Sequence, residues 1–194
     1  MDYERTYDYL AGRLQPHLSD DELKTVRLAY ELAEGAHEGQ MRDEGTPYIL
    51  HPVRVAVSLV DELEIYSPRL VSSALLHDVI EDSPITREQI ADLFGEEVAE
   101  IVWLLTKFDD VSLPAYLSAI EAARDTGAAI VKLCDRLDNL RFLAHSPKAE
   151  KKRRYIHTTE AFYLPMALRT NKYLYDELSR WLEEARNHVR AVNH

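Results

Sequence analysis

One histidine and three carboxylates fall within six residues of the string Ala74-Leu75-Leu76-His77-Asp78-Val79-Ile80-Glu81-Asp82. The residues before them are apolar, so the polar group stands at the end of a segment that belongs in a core. Charged side chains leave water only when paired or bound to a metal. His and Asp together are ligand types for a divalent transition metal. On a helix, His77 and Glu81 are four apart, Asp78 and Glu81 three apart, and Asp78 and Asp82 four apart, which predicts a single polar rim. The chemistry is metal-assisted hydrolysis if further ligands arrive from elsewhere in the chain.

Two other groups are candidates for that supply. His51-Pro52 follows Thr46-Pro47-Tyr48-Ile49-Leu50, and Lys132-Leu133-Cys134-Asp135-Arg136-Leu137-Asp138-Asn139-Leu140-Arg141 lies further on. In the second group Asp135, Asp138 and Asn139 share a polar face, while Leu133, Leu137 and Leu140 face a core. Each group alone has a plainer reading, as a satisfied histidine or as an amphipathic helix with a solvated face. Together, a His, a His-Asp doublet and a distant Asp supply two nitrogens and two carboxylate oxygens to one ion. Such a mixed set suits Mn²⁺, Fe²⁺ or Zn²⁺ without choosing among them. Glu81 and Asp82, adjacent but not required as ligands, then orient and deprotonate the attacking water.

The elements that must position these residues read as helices throughout. Ser19-Asp20-Asp21-Glu22 is a capping box that predicts a helix to about 37, and a loop over 39–47 leads to a helix carrying His51. Ser67-Pro68 opens the helix that ends in the His77 string. Thr86-Arg87-Glu88-Gln89 is a second capping box, with Gly95 as a stop. Helices over about 96–107, 114–125 and 128–143 follow. Ser146-Pro147 opens a long helix that Pro165 should kink, and 171–190 forms the last. No segment reads better as a strand, although Ile130-Val131 is ambiguous by pattern.

Composition narrows the function classes. The chain has 194 residues, 46% of them hydrophobic, which suits one domain with a sizeable core. No apolar run approaches the roughly 18 residues that cross a bilayer, and the start MDYERTYDYL lacks a signal-peptide layout. The single cysteine, Cys134, excludes an internal disulfide and points to a reducing cytoplasm. It reads as a small core residue without an activating base. A net charge of −11 argues against a nucleic-acid-binding domain. Trp103 and Trp181 read as packing residues. Tyr155, Tyr163, Tyr173 and Tyr175 suit either packing or a stacking pocket wall.

The motifs resemble those of HD-domain hydrolases, specifically the hydrolase domain of the RelA/SpoT family. The resemblance lies in Ala36-His37-Glu38-Gly39-Gln40-Met41-Arg42, Gly45-Thr46-Pro47-Tyr48-Ile49-Leu50-His51-Pro52, and the string from Ala74 to Asp82. It continues through Phe94-Gly95-Glu96-Glu97-Val98, Leu105-Thr106-Lys107, the stretch from Val131 to Arg141, and Lys151-Lys152-Arg153-Arg154-Tyr155. It covers roughly 25–170 in order and spacing. The fold it implies is all-α, an HD-domain helical bundle of about eight to ten helices forming one domain over 1–194. No synthetase domain of the long family members follows before His194, so the chain is similar to a stand-alone small alarmone hydrolase.

The resemblance implies that Mn²⁺, or another divalent transition metal, is held by His51, His77, Asp78 and Asp135, with Glu81 and Asp82 activating water. It implies hydrolysis of the 3′-pyrophosphate of guanosine tetra- or pentaphosphate to GDP or GTP and pyrophosphate. Arg42 then packs near the base, Asn139 lines the nucleoside pocket, and Lys107, Arg136, Arg141 and Arg154 meet the remaining phosphates. The stretch from Arg141 to Arg154 carries six Lys or Arg against one Glu, a basic island in an acidic chain. The chain departs from the family's frequent residues at Asp43, Asp138 and Phe142, in positions expected around the base. These departures motivate one alternative, the same chemistry on another nucleotide, such as removal of the NADPH 2′-phosphate; a hypothesis of a different class is a non-catalytic scaffold that binds an alarmone or a partner protein. Retention of Glu81 and Asp82 argues against the scaffold.

Overall fold

The computed structural model describes residues 6–192. Twelve α-helical segments run along them: α1 Tyr7–Leu14, α2 Asp20–Ala36, α3 Leu50–Asp61, α4 Pro68–Leu76, α5 Val79–Asp82, α6 Arg87–Phe94, α7 Glu96–Leu105, α8 Leu113–Ala122, α9 Ala128–Arg141, α10 Ala149–Thr158, α11 Leu164–Thr170 and α12 Lys172–Val192. Ten of them are eight residues or longer, and α5 and α11 are short. The fold is all-helical, as expected. Among the described residues the only extended pairing is an isolated bridge between Met41 and Pro47. Ile130 and Val131, ambiguous in the sequence, lie inside α9. No helix of the described residues is long and apolar enough to cross a membrane.

Helix α3 is the axle. Val53, Val55, Ala56, Val57, Leu59 and Val60 are all buried, and so are His51, Arg54 and Ser58. A helix buried on every side must find partners for its polar residues within the protein. It packs against α1, α4 and α9, while α2 and α7 lean on α4 and α12 lies along α9. Helices α3 and α9, which carry His51 and Asp135, and α4, which His77 caps, therefore meet in the core.

Local chemistry explains most boundaries. Both capping boxes form: the Ser19 hydroxyl accepts from the Glu22 amide and Glu22 accepts from the Ser19 amide, with Thr86 and Gln89 pairing in the same way. Ser67 caps α4, whose first residue is Pro68. Helix α1 carried no expectation in the sequence, yet Thr6 caps it and its Leu10 and Leu14 are buried. Gly127 starts α9 with φ +82, and a Cβ there would lie 2.7 Å from the Leu70 side chain. Glycine at this position fixes where α9 begins against α4.

One expectation needs correction. The long helix expected from Ser146-Pro147 starts later, at Ala149, because the backbone at Lys148 is extended (φ −87, ψ 96). Just before Pro165 the helix changes type. One wide π-type turn over Thr159–Tyr163, closed by the Leu164 amide to the Thr159 carbonyl, absorbs the proline's missing N–H before α11.

Candidate active site

The His77 string is not one helix. Helix α4 ends at Leu76, His77 is its C-cap, Asp78 (φ −104, ψ −4) is the N-cap of α5, and Glu81 and Asp82 lie in that single turn. Successive residues of an unbroken helix diverge by about 100°. The break lets both members of the doublet face one point: His77 Nε2 lies 3.1 Å from Asp78 Oδ2. His51, in the first turn of α3, places its Nε2 3.8 Å from the same oxygen. Asp135, midway along α9, brings Oδ1 to 3.1 Å from His51 Nε2 and 3.9 Å from His77 Nε2.

Both histidines are held in the orientation a metal requires. His77 Nδ1 donates to the Ala74 carbonyl at 2.8 Å, which leaves Nε2 as the free ring nitrogen. That Nε2 is buried without a hydrogen-bond partner among the described residues. His51 Nδ1 lies 2.7 Å from Asp138 Oδ2. A carboxylate or carbonyl behind each ring is the usual support of a metal-binding imidazole. Burial alone would discharge His77, but the neighbouring Asp78 and Asp135 hold its pKa up to about 9. The carboxylates thus demand a positive charge at this point. His51, His77 and Asp78 group closely enough to share one ion, and the two nitrogens and two carboxylate oxygens fit a divalent metal.

His51, Asp78 and Asp135 line a cavity of about 700 Å³, with His77 buried behind them. Arg42, Lys107, Arg136, Asn139 and Arg154 all line it, together with Glu81 and Asp82. Glu81 Oε2 accepts from the Lys107 amide at 3.0 Å, so Lys107 holds Glu81 by its main chain. Burial, then the charge of Asp78, raises the Asp82 carboxyl above its usual range; burial likewise raises Glu81. The Arg136 guanidinium lies 4.3 Å from the Tyr155 ring centre and 3.9 Å from that of Tyr163, and both tyrosines line the cavity as well as packing on the core. Exposed Arg154 has no carboxylate partner among the described residues.

Arg141 does not join them. Its guanidinium is bound to Glu62 at 2.7 and 2.8 Å and to Glu177 at 3.3 Å, behind α9 and outside the cavity lining. A helix turns Arg141 away from Asn139 by about 200°. The grouping of Asp138 and Phe142 around the base is also overturned. Asp138 is buried against His51 and Arg54, and the Phe142 ring lies 3.9 Å beneath the Arg54 guanidinium. Only Asp43 of the three departures lines the cavity, and its carboxylate is taken by Ser146, Lys148 and Lys151 at 2.8, 2.9 and 2.7 Å.

Several residues of the site carried no expectation. The Tyr48 hydroxyl donates to Asp78 Oδ2 at 2.6 Å, and Lys132 lies 2.9 Å from Asp135 Oδ2. Lys132, three residues before Asp135 on one helix face, was the findable one, since that spacing is a contact spacing. Arg54 and Glu44 had no such signal, because only the tertiary fold brings them to α9.

An all-helical bundle with a His-Asp doublet at a helix break, completed from two other helices, defines the HD class of domains. The chain belongs to that family: residues 29–171 match the family described as HD domain. Its relatives are of the RelA/SpoT kind. It is 37% identical over 172 residues to the bifunctional (p)ppGpp synthase/hydrolase SpoT of Escherichia coli (strain K12), covering 84% of this chain and 24% of the relative. It is 41% identical over 147 residues to the guanosine-3′,5′-bis(diphosphate) 3′-pyrophosphohydrolase of Haemophilus influenzae, covering 71% of this chain and 21% of the relative. The chain thus spans about a quarter or less of the length of these curated relatives. A solved structure of a metazoan ortholog of SpoT, described as hydrolyzing ppGpp and playing a role in starvation responses, superposes with a TM-score of 0.73 at 26% identity. That match covers 87% of this chain and 97% of the solved one.

Proposed function

We propose that this chain hydrolyses the 3′-pyrophosphate of guanosine tetra- and pentaphosphate, releasing pyrophosphate and GDP or GTP. The observation that carries the reading is the cluster of His51, His77, Asp78 and Asp135, three of which line a cavity that cations also wall. The activity named for the relatives supplies the substrate class. We read residues 1–194 as one HD hydrolase domain acting on a small nucleotide in the cytoplasm, and Mn²⁺ as its ion. Bound to those four side chains, a divalent ion supplies Lewis-acid polarisation of a phosphoryl oxygen and a more acidic water.

The chain's own residues do the rest. Glu81 and Asp82 line the cavity with Asp78; one of the two carboxylates accepts the proton of the water that attacks the phosphorus on the ribose 3′ oxygen, and the other orients that water. The bond between that phosphorus and the 3′ oxygen breaks, and the oxygen takes up a proton as pyrophosphate leaves. Arg136 and Arg154 meet the phosphates, since guanidinium forks match phosphate oxygens. Lys107 adds a further cation at the wall, and Arg42 and Asn139 border the nucleoside.

The test is purified protein with Mn²⁺ against guanosine tetraphosphate, guanosine pentaphosphate and NADPH, beside Asp78→Ala and Glu81→Ala. Pyrophosphate release from the guanosine nucleotides, abolished by both substitutions, is the expected result. Folded, metal-loaded protein that turns over NADPH alone, or nothing, rejects it.

A further inference from the structure

Asp138 is gripped from two directions. His51 Nδ1 lies 2.7 Å from its Oδ2, while Arg54 donates from Nε to Oδ1 at 2.7 Å and from Nη2 to Oδ2 at 3.1 Å. Arg54 Nη2 also reaches Glu44 Oε1 at 3.3 Å, and Arg42 Nε lies 3.5 Å from that same oxygen. Arg42 Nη2 donates to Asn139 Oδ1 at 3.0 Å, and Asn139 Nδ2 donates to Asp135 Oδ1 at 2.5 Å. Asp135 Oδ1 lies 3.1 Å from His51 Nε2, where the sequence of contacts closes.

This ring contains two arginines, two unliganded carboxylates and two members of the cluster, and His51, Arg54, Asp135 and Asp138 are all buried. Buried ion pairs add little net stability over apolar residues of the same volume. Their use here needs another reason, and the ring ends on metal ligands. The two histidines also differ: His77 has a neutral carbonyl behind it and His51 has a carboxylate. A carboxylate at Nδ1 fixes the tautomer and makes Nε2 the stronger donor.

We propose that Asp138 is a positioning residue for His51 in the metal centre, fixed in place by Arg54, and makes no contact with the nucleotide. Phe142 belongs to the same unit, because its ring carries the face of the Arg54 guanidinium. The inference rests on the metal-binding part of the proposed function and not on the identity of the nucleotide.

Mn²⁺ titration of the purified chain, followed by the loss of the free-ion EPR signal, tests it without reference to turnover. Asp138→Asn keeps the size and removes the charge, and it is expected to weaken Mn²⁺ binding about 10- to 100-fold. Arg54→Lys keeps the charge without the fork and should give a smaller loss in the same direction. Glu62→Gln breaks a comparable carboxylate–arginine pair away from the centre, so it should lower the melting temperature and leave Mn²⁺ affinity in place. Folded Asp138→Asn protein binding Mn²⁺ within about twofold of the parent overturns the proposal. Weakened Mn²⁺ binding in a chain that hydrolyses none of the tested nucleotides rejects the proposed function and leaves this inference standing.

Discussion

The ammonium of Lys132 sits 2.9 Å from Oδ2 of Asp135, so the oxygen of that carboxylate left facing the histidines is Oδ1. Burial would discharge the lysine, but Asp135 holds its pKa well above the usual value. In the proposed metal centre Lys132 thereby leaves Asp135 one oxygen for an ion.

Replacing Lys132 by Met leaves the Asp135 carboxylate without its cation. In chelator, urea unfolding should show a loss of about 3 kcal/mol, the scale for breaking a buried pair. Added Mn²⁺ should recover part of it, because the ion restores positive charge beside the carboxylate. Equal stability of the two proteins in chelator would contradict this account.

Glu81 points to a different split. A hydrogen bond from the Lys107 amide fixes it, and it lines the cavity with His51, Asp78 and Asp135. Glu81→Gln keeps an acceptor for that amide and removes the base. We expect kcat to fall by roughly 10²- to 10⁴-fold with unchanged Mn²⁺ affinity. A parallel fall in metal affinity would make Glu81 a ligand.

Asp43 ties the 39–47 loop to the start of α10 by holding Lys148 and Lys151, and Lys151 lines the cavity. Asp43→Asn should free Lys151 for an anionic substrate. KM should then fall by about two- to fivefold, the range of a half-exposed ion pair, and the gain should shrink with added salt. An unchanged KM at low salt would show that the lysine faces away from the nucleotide.

The acid limb of stability should depend on Glu62. Burial pushes its carboxyl up, but the Arg141 fork overrides this and holds its pKa down to about 2, against 4.5 for the free group. A carboxyl depressed in the folded state contributes stability that is present above the unfolded pKa and lost as pH falls toward the folded one. The difference in melting temperature between the parent and Glu62→Gln should therefore narrow between pH 4.5 and 2. A constant difference across that window would place the effect elsewhere.

The sequence disclosed the helices whose caps are local. Ser19, Ser67 and Thr86 each act within three residues of themselves, so their hydrogen bonds are written in neighbouring letters. The same holds for the His77-Asp78 doublet, although not for the break between α4 and α5 that aims it, since no Gly or Pro marks that break in the sequence. Arg141 misled because side-chain type suggested phosphate, whereas its direction is set by the turn of α9. Asp138 misled in the opposite sense: its place beside Asn139 suggested the nucleoside, and the buried Arg54 that claims it lies 84 residues away.

The joint between α4 and α5, the first turn of α3 and the middle of α9 meet at one point. An ion shared there fastens three distant lengths of chain together, and none can loosen while the others hold it. Amide hydrogens near His51, His77 and Asp135 should then exchange with solvent only when the whole domain opens, so loading the centre merges separately fraying parts into one cooperative unit.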